Sequence, residues 1–306
     1  DLHGEYDAFY HIINNCSGVI KEKVAMLYGD ELTVFEQQEL CTLIYYPREK
    51  LSILMEENKV TDEWYRNVLG QLIQIAKLLS SKYTRSKVRK AMPVDFAYVI
   101  DELIHAQKDE DDNRSVYHRQ IMETILSLHN GDEFLIALTD LIKRLAVDHL
   151  HILGDIYDRG SHADKILDLL MEHHSVDIQW GNHDILWMGA FCGNPVCMAL
   201  VVRNNIKYKT MSILENGYGI SLRFLLQFAV KTYSDKNVDD AVYKAISVIL
   251  FKLEGQLIKR HPEYRMEGRL LLDKMDLDKG IVRIGDKEYF LNTTEIPTID
   301  MNNPYE

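Results

Sequence analysis

Three short motifs hold the residues of this chain that could do chemistry together. Asp1-Leu2-His3-Gly4 opens it, Gly154-Asp155-Ile156-Tyr157-Asp158-Arg159-Gly160 stands at its middle, and Gly181-Asn182-His183-Asp184 follows. Asp1 and His3 are one residue apart, so in an extended segment both side chains point toward one metal. Asp155 can place one carboxylate oxygen on each of two metals, and Asn182 offers a neutral amide oxygen to the second. Manganese or magnesium accepts such oxygen donors, and imidazole moves the preference toward manganese, iron or zinc. A pair of metals turns bound water into hydroxide and clamps the phosphoryl group it attacks. His183 is suited to protonate the leaving alkoxide, with Asp158 fixing its tautomer. Arg159 presents a planar fork to phosphate oxygens. Each motif alone is equally well a glycine-rich turn with ordinary loop carboxylates; their order in one chain favours phosphate-ester hydrolysis.

The elements that position these motifs are short apolar strands. Residues 147–153 read as a strand ending at Gly154-Asp155, and residues 176–180 as a strand ending at Gly181-Asn182. Between them 162–172 has a helical apolar stripe of Ile166, Leu167, Leu169 and Leu170. A parallel strand pair with a right-handed crossover follows, and ligands in such sheets gather at the carboxyl ends of the strands. By the same logic Asp1 is expected to follow a strand, which the sequence does not include. Helical spacing recurs at 18–28, 34–43, 61–82, 95–108, 115–129 and 132–145, with Thr61 as an N-cap and Asn130-Gly131 as a stop. Residues 222–232 and 238–257 are helical again, and 280–291 alternates around Gly285-Asp286 as a type II′ hairpin. The expected division is 1–13 as the start of the core, 14–146 as a helical insertion, 147–260 as the core continued with extra helices, and 261–306 as an extension with a hairpin.

Other candidates are weaker. His149 and His151 alternate on a strand and read as packed rather than ligating; His173-His174 sits at a helix end. Lys82 to Lys90 is a basic cluster read as a solvated face, with anion binding as its alternative; Arg203, Lys207 and Lys209 are similar. Tyr45, Tyr46, Trp64 and Tyr65 suit an interface or a core. The chain has 306 residues, 46% hydrophobic and 27% charged, with 47 acidic against 35 basic residues and a net charge of −12. That is a globular composition without the basic face that binding a polyanion needs, so no nucleic-acid partner is expected. No apolar run reaches the ~20 residues of a membrane span, so no membrane partner is expected either. Cys16, Cys41, Cys192 and Cys197 have no zinc spacing and read as buried, reduced thiols.

The order D-x-H-G, G-D-x-x-D-R-G, G-N-H-D resembles the calcineurin-like metallophosphoesterases. The long gap between the first two motifs is more specific. Leu43-Ile44-Tyr45-Tyr46-Pro47, KYTRSKVRKAMP at 82–93, FAYVIDELIH at 96–105 and RLLLDKMDLDKG at 269–280 are similar to class III fructose-1,6-bisphosphatase, the bacterial type. The resemblance implies an α/β fold with a partial metallophosphoesterase-like sheet core and a large helical insertion. It implies manganese-dependent hydrolysis of the 1-phosphate of fructose 1,6-bisphosphate, a sugar-phosphate substrate, in cytoplasmic gluconeogenesis. Asp1, His3, Asp155 and Asn182 match its metal ligands, His183 and Asp158 its acid and partner, and Arg159 its phosphate-binding arginine. The family pattern continues with Gly-His and Gly-His-x-Pro motifs. Here His261 is the only histidine after His183 and lacks the preceding glycine, so the chain reads as the N-terminal half of a longer enzyme carrying about half of a two-metal site. Two readings compete: a phosphatase of phosphoproteins or dinucleoside polyphosphates, and a non-catalytic scaffold that assembles, including as a homo-oligomer.

Overall fold

Side-chain caps set where several helices begin. Thr33, Thr61 and Thr84 accept a hydrogen bond from the backbone N–H three residues on, and Glu36 reaches back to complete a capping box with Thr33. Such caps satisfy backbone donors that the first helical turn leaves unpaired. The computed structural model describes residues 2–105, 112–233 and 237–306. Asp1 lies outside them, as does the end of the helix expected at 95–108.

The chain falls into two compact units. One comprises residues 7–150 with 173–176; the other comprises 1–6, 151–172 and 177–306. Helices run in order as α1 Tyr6–Asn14, α2 Val19–Tyr28, α3 Val34–Tyr45, α4 Pro47–Glu56, α5 Asp62–Ser80, α6 Arg85–Ala91, α7 Ala97–His105, α8 Asp112–Ser127 and α9 Gly131–Ala146. In the first unit α5 and α9 pack side by side, with α2, α3, α4, α6, α7 and α8 against one or the other. Leu69, Leu72, Ile75, Phe134, Leu138, Leu141 and Ile142 have no exposed surface. Their three-and-four spacing gives each helix an apolar stripe, which is why the sequence shows these helices clearly.

The second unit continues with β1 Leu150–Ile152, α10 Ala163–Glu172, β2 Val176–Ile178, α11 Asn182–Phe191, α12 Pro195–Tyr208, α13 Arg223–Thr232, α14 Val238–Arg260, β3 Met275–Asp276, β4 Ile281–Ile284 and β5 Lys287–Phe290. β1 and β2 form a two-stranded sheet. Leu150 N donates to Ser175 O at 3.0 Å and Gln179 N to Ile152 O at 2.8 Å; both chains advance in the same direction, so the pair is parallel. α12 packs on α11 and α14, and α13 on α14. β3, β4 and β5 make a separate antiparallel sheet whose hairpin turns at Gly285, φ +59. No described helix is long and apolar enough to cross a membrane.

Several expectations need correction. The molecule is mostly helical, and its α/β character rests on short strands. The strand expected over 147–153 is only Leu150–Ile152, because α9 extends to Ala146 and Val147 serves as its C-cap. Gly131 does not stop a helix but opens α9. Its missing Cβ leaves room for the Tyr65 ring, which would stand 3.0 Å away, and His129 takes the left-handed turn, φ +57. Cys16 and Cys41 are buried, and burial pushes the Cys16 thiol up to about 11. Cys192, however, is exposed. Helices α1, α4, α6, α11 and α12 lie outside the helices expected from the sequence, and of these α11 is apolar without a preferred face.

Candidate active site

Two pairs of glycines let the three motif loops meet. A Cβ on Gly4 would stand 2.7 Å from the Gly160 carbonyl carbon, and one on Gly154 would strike the Gly181 backbone nitrogen. His3 N donates to Asp155 O at 2.8 Å and His162 N to Gly4 O at 3.3 Å. The loops are strained as well as close. His3, Asp155 and Arg159 hold φ of 50°, 50° and 56°, a region costly for residues with a Cβ and one that clusters at ligand and catalytic sites.

Asp158 is the hub. Its carboxylate is 3% exposed. Oδ2 lies 2.8 Å from His3 Nδ1 and 3.2 Å from Arg159 Nε, and Oδ1 lies 3.3 Å from His183 Nε2. Oδ1 makes no aligned hydrogen bond, so the His183 contact is electrostatic. Among the described residues, each ion-pair partner of this buried carboxylate comes from a motif. Arg159 keeps most of its side chain, 70%, in solvent, so the guanidinium remains available to an incoming anion.

Asp184 is a site residue that sequence reasoning passed over, though it stands inside the third motif. It is buried. Oδ1 accepts from Ile156 N at 2.9 Å and Tyr157 N at 3.2 Å, and Oδ2 accepts from Gly181 N at 2.8 Å. One carboxylate thereby fixes the second motif loop to the third. Asp155 Oδ1 accepts from His183 N at 3.3 Å and lies against Gly181, where a side chain would strike it. Asn182 opens α11 with its side chain exposed, next to half-buried His183.

An aromatic wall borders the loops, also unforeseen. Tyr157 stacks on Trp187 with centroids 4.3 Å apart, and its hydroxyl bonds that of Tyr218 at 2.7 Å. Burial, then the Tyr218 hydrogen bond, push the Tyr157 hydroxyl well above the usual phenol range, so it stays a neutral donor or acceptor. Tyr157, Arg159, His183, Trp187, Asn204 and Tyr208 are among the residues lining a small cleft here. Tyr157 lies within the second motif, so its position was legible; nothing in the sequence signalled Trp187 or Tyr218.

The weaker candidates go elsewhere. His149 bonds Ser175 Oγ at 2.8 Å and His151 bonds Asp177 at 2.7 Å, both exposed. In the basic cluster Arg85 pairs with Asp101 and Lys87 with Asp148. Arg203 bonds Ser247 and the Tyr243 hydroxyl, a structural use. Lys209 ends α12 with φ +60.

The donors expected for manganese are oxygen and nitrogen groups of suitable kind. Yet among the described residues no three His, Cys, Asp or Glu side chains come together as a metal-holding group, and His3 Nδ1 faces Asp158.

The model of the firmicute fructose-1,6-bisphosphatase family matches residues 1–306. The chain belongs to that family. It is 49% identical to fructose-1,6-bisphosphatase class 3 proteins of Clostridium beijerinckii and Clostridium tetani, and 47% identical to one of Clostridium acetobutylicum, in each case over 100% of this chain. The match covers 49% of each of these relatives, so the chain spans about half their length. No solved structure gave a significant match. All three motifs of this fructose-1,6-bisphosphatase-family chain lie within the matched region.

Proposed function

We propose that this chain supplies the phosphate-binding and proton-donating half of a phosphomonoesterase that hydrolyses fructose 1,6-bisphosphate to fructose 6-phosphate and phosphate, on a metallophosphoesterase-like core. The observation that carries the reading is the buried Asp158 carboxylate with His3, Arg159 and His183 within 3.3 Å. Family membership and the names of the relatives support the substrate.

In this reading Arg159 takes the phosphate oxygens through its exposed guanidinium. A planar fork holds two oxygens at once and resists rotation of the phosphoryl group. His183 protonates the departing sugar alkoxide. With Nε2 turned to Asp158, Nδ1 is the nitrogen left to deliver that proton, and Asp158 holds the ring in place. The Tyr157–Trp187 stack closes one side of the cleft against water, which strengthens the charge interactions inside. A divalent cation, manganese first, would be held by Asp155 and Asn182, with Asp1 among the further candidate ligands, and would supply Lewis-acid stabilisation of phosphate charge. In this reading the helical insertion expected over 14–146 is what distinguishes the substrate class from that of protein phosphatases.

The test joins this chain to the half of the Clostridium beijerinckii relative that it does not match. Phosphate release is then followed from a panel of sugar bisphosphates, phosphopeptides and dinucleoside polyphosphates with and without Mn²⁺. Manganese-dependent release from fructose 1,6-bisphosphate above the others, lost in Asp155→Asn, is expected. Preference for a phosphopeptide or a dinucleotide, or no release from any ester, overturns the reading.

A further inference from the structure

One helix end beside the motif loops carries polar groups that the fold does not use. Helix α12 buries Val196, Ala199 and Ile206 in the core it shares with α14, and Val201 against Leu214 and Leu222. Its last two turns also border the cleft that holds Arg159 and His183. In that wall Asn205 and Thr210 are buried and satisfied within the chain. Thr210 Oγ1 donates to Asn205 Oδ1 at 3.0 Å, and Asn205 Nδ2 to the Val201 carbonyl at 2.9 Å. Asn204 and Tyr208 differ. They stand one turn apart on one face of the helix, half-buried at the cleft. Among the described residues neither the Asn204 amide nor the Tyr208 hydroxyl has a hydrogen-bond partner. Lys207 leans over the Tyr208 ring, its ammonium 5.3 Å from the centroid, and forms no ion pair among the described residues. Arg203, one turn earlier, is by contrast held by Ser247 and Tyr243.

We infer that the C-terminal end of α12 recognises the part of the substrate that does not react, with Asn204 and Tyr208 hydrogen-bonding the sugar hydroxyls and Lys207 holding the second phosphate. The inference rests on the bisphosphatase reading and deepens it. Small-molecule sites combine apolar and aromatic walls with a few polar groups that fix orientation. Here Trp187 gives the wall and Arg159 the contact to the reacting phosphate. An amide both donates and accepts, as does a phenol, which suits hydroxyls that do the same. Lys207 brings the positive charge that a second phosphate needs. A site that pairs with hydroxyls leaves its own polar groups unmatched when a substrate lacks them. It therefore separates a sugar ester from an aromatic one far better than an apolar pocket does. A sugar monophosphate fills the hydroxyl contacts but leaves Lys207 unmatched.

Steady-state kinetics test it in the chain joined to the unmatched half of the Clostridium beijerinckii relative, with Mn²⁺ and three esters: fructose 1,6-bisphosphate, fructose 1-phosphate and phenyl phosphate. The readout is the ratio of kcat/KM between esters, which cancels any general loss at the reacting phosphate. Where an ester turns over too slowly, its inhibition constant against fructose 1,6-bisphosphate takes the place of kcat/KM. Asn204→Ala and Tyr208→Phe are each expected to lower the ratio of fructose 1-phosphate to phenyl phosphate about tenfold, the order of one hydrogen bond. Lys207→Ala is expected to leave that ratio within about twofold and to lower the ratio of fructose 1,6-bisphosphate to fructose 1-phosphate by at least about tenfold, as for a hydrogen bond to a charged group. Ratios unchanged in all three variants overturn the inference and leave the bisphosphatase reading intact. So does a Lys207→Ala loss shared equally by the two fructose esters. A parent protein that releases no phosphate from fructose 1,6-bisphosphate overturns the functional reading, and this inference with it.

Discussion

The helical unit of 7–150 and the motif-bearing unit solve opposite problems. The first closes on itself: Leu69, Leu72, Leu138 and Leu141 are wholly buried, and its helices meet through apolar stripes. The second leaves Phe191, Met188 and Trp180 in solvent and concentrates left-handed backbone at His3, Asp155 and Arg159. Its polar order hangs on two buried carboxylates, Asp158 and Asp184. The contrast teaches where each kind of residue matters. In the helical unit volume is decisive, and in the motif unit the direction of a few hydrogen bonds is.

That contrast is sharpest under mutation. Leu138→Ala leaves a cavity among close-packed helices and is expected to cost about 4 kcal/mol, read as earlier urea unfolding of the helical unit by amide exchange. The exchange of 151–172 should not change. Asp184→Ala removes the acceptor of three backbone N–H groups, two of them donating from the second motif. It should destabilise the motif loops by about 3 kcal/mol, at ~1 kcal/mol per orphaned donor, with faster exchange at Ile156, Tyr157 and Gly181. A Leu138→Ala effect that spreads to the motif loops, or a silent Asp184→Ala, would break the comparison.

These two cases also mark what the sequence could disclose. The helices around Leu69 and Leu138 were legible because burial imposes a period on the residues themselves. Helix α11 was not, since Ile185, Leu186, Trp187 and Met188 are apolar without a face. The three motifs announced Asp155, Asp158, Arg159 and His183 by type and spacing. The role of Asp184 was hidden because it bonds backbone N–H groups 28 and 27 residues away, and backbone donors look alike in every sequence. Trp187 and Tyr218 were hidden for a related reason: a stack from Tyr157 to Trp187 and a hydroxyl hydrogen bond across 61 residues to Tyr218 leave no local pattern. The pairing of His3 with Asp158 likewise needed the fold.

The smallest expected effect is in pH. Burial, followed by mutual repulsion and neighbouring cations, holds His173 and His174 below the ordinary histidine range; they stack with centroids 4.4 Å apart beside Arg144 and Asp148. The unfolded chain takes up protons near the usual ~6.5 while the folded chain resists until lower pH, so stability present above that value is lost as pH falls through it. The helical unit should therefore melt earlier at pH 5.5 than at pH 7.5, and a His173→Asn, His174→Asn double variant should show a smaller difference. An unchanged difference would remove these histidines from the account.

The most direct trial of the central claim is Asp158→Asn in the joined protein, assayed for manganese-dependent phosphate release from fructose 1,6-bisphosphate beside a melting curve. If Asp158 organises His3, Arg159 and His183, turnover falls at least about a hundredfold, within the range for losing a positioned acid, while the melting temperature moves by only a few degrees. Turnover equal to that of the parent would contradict the assignment of Asp158 as the hub of the site.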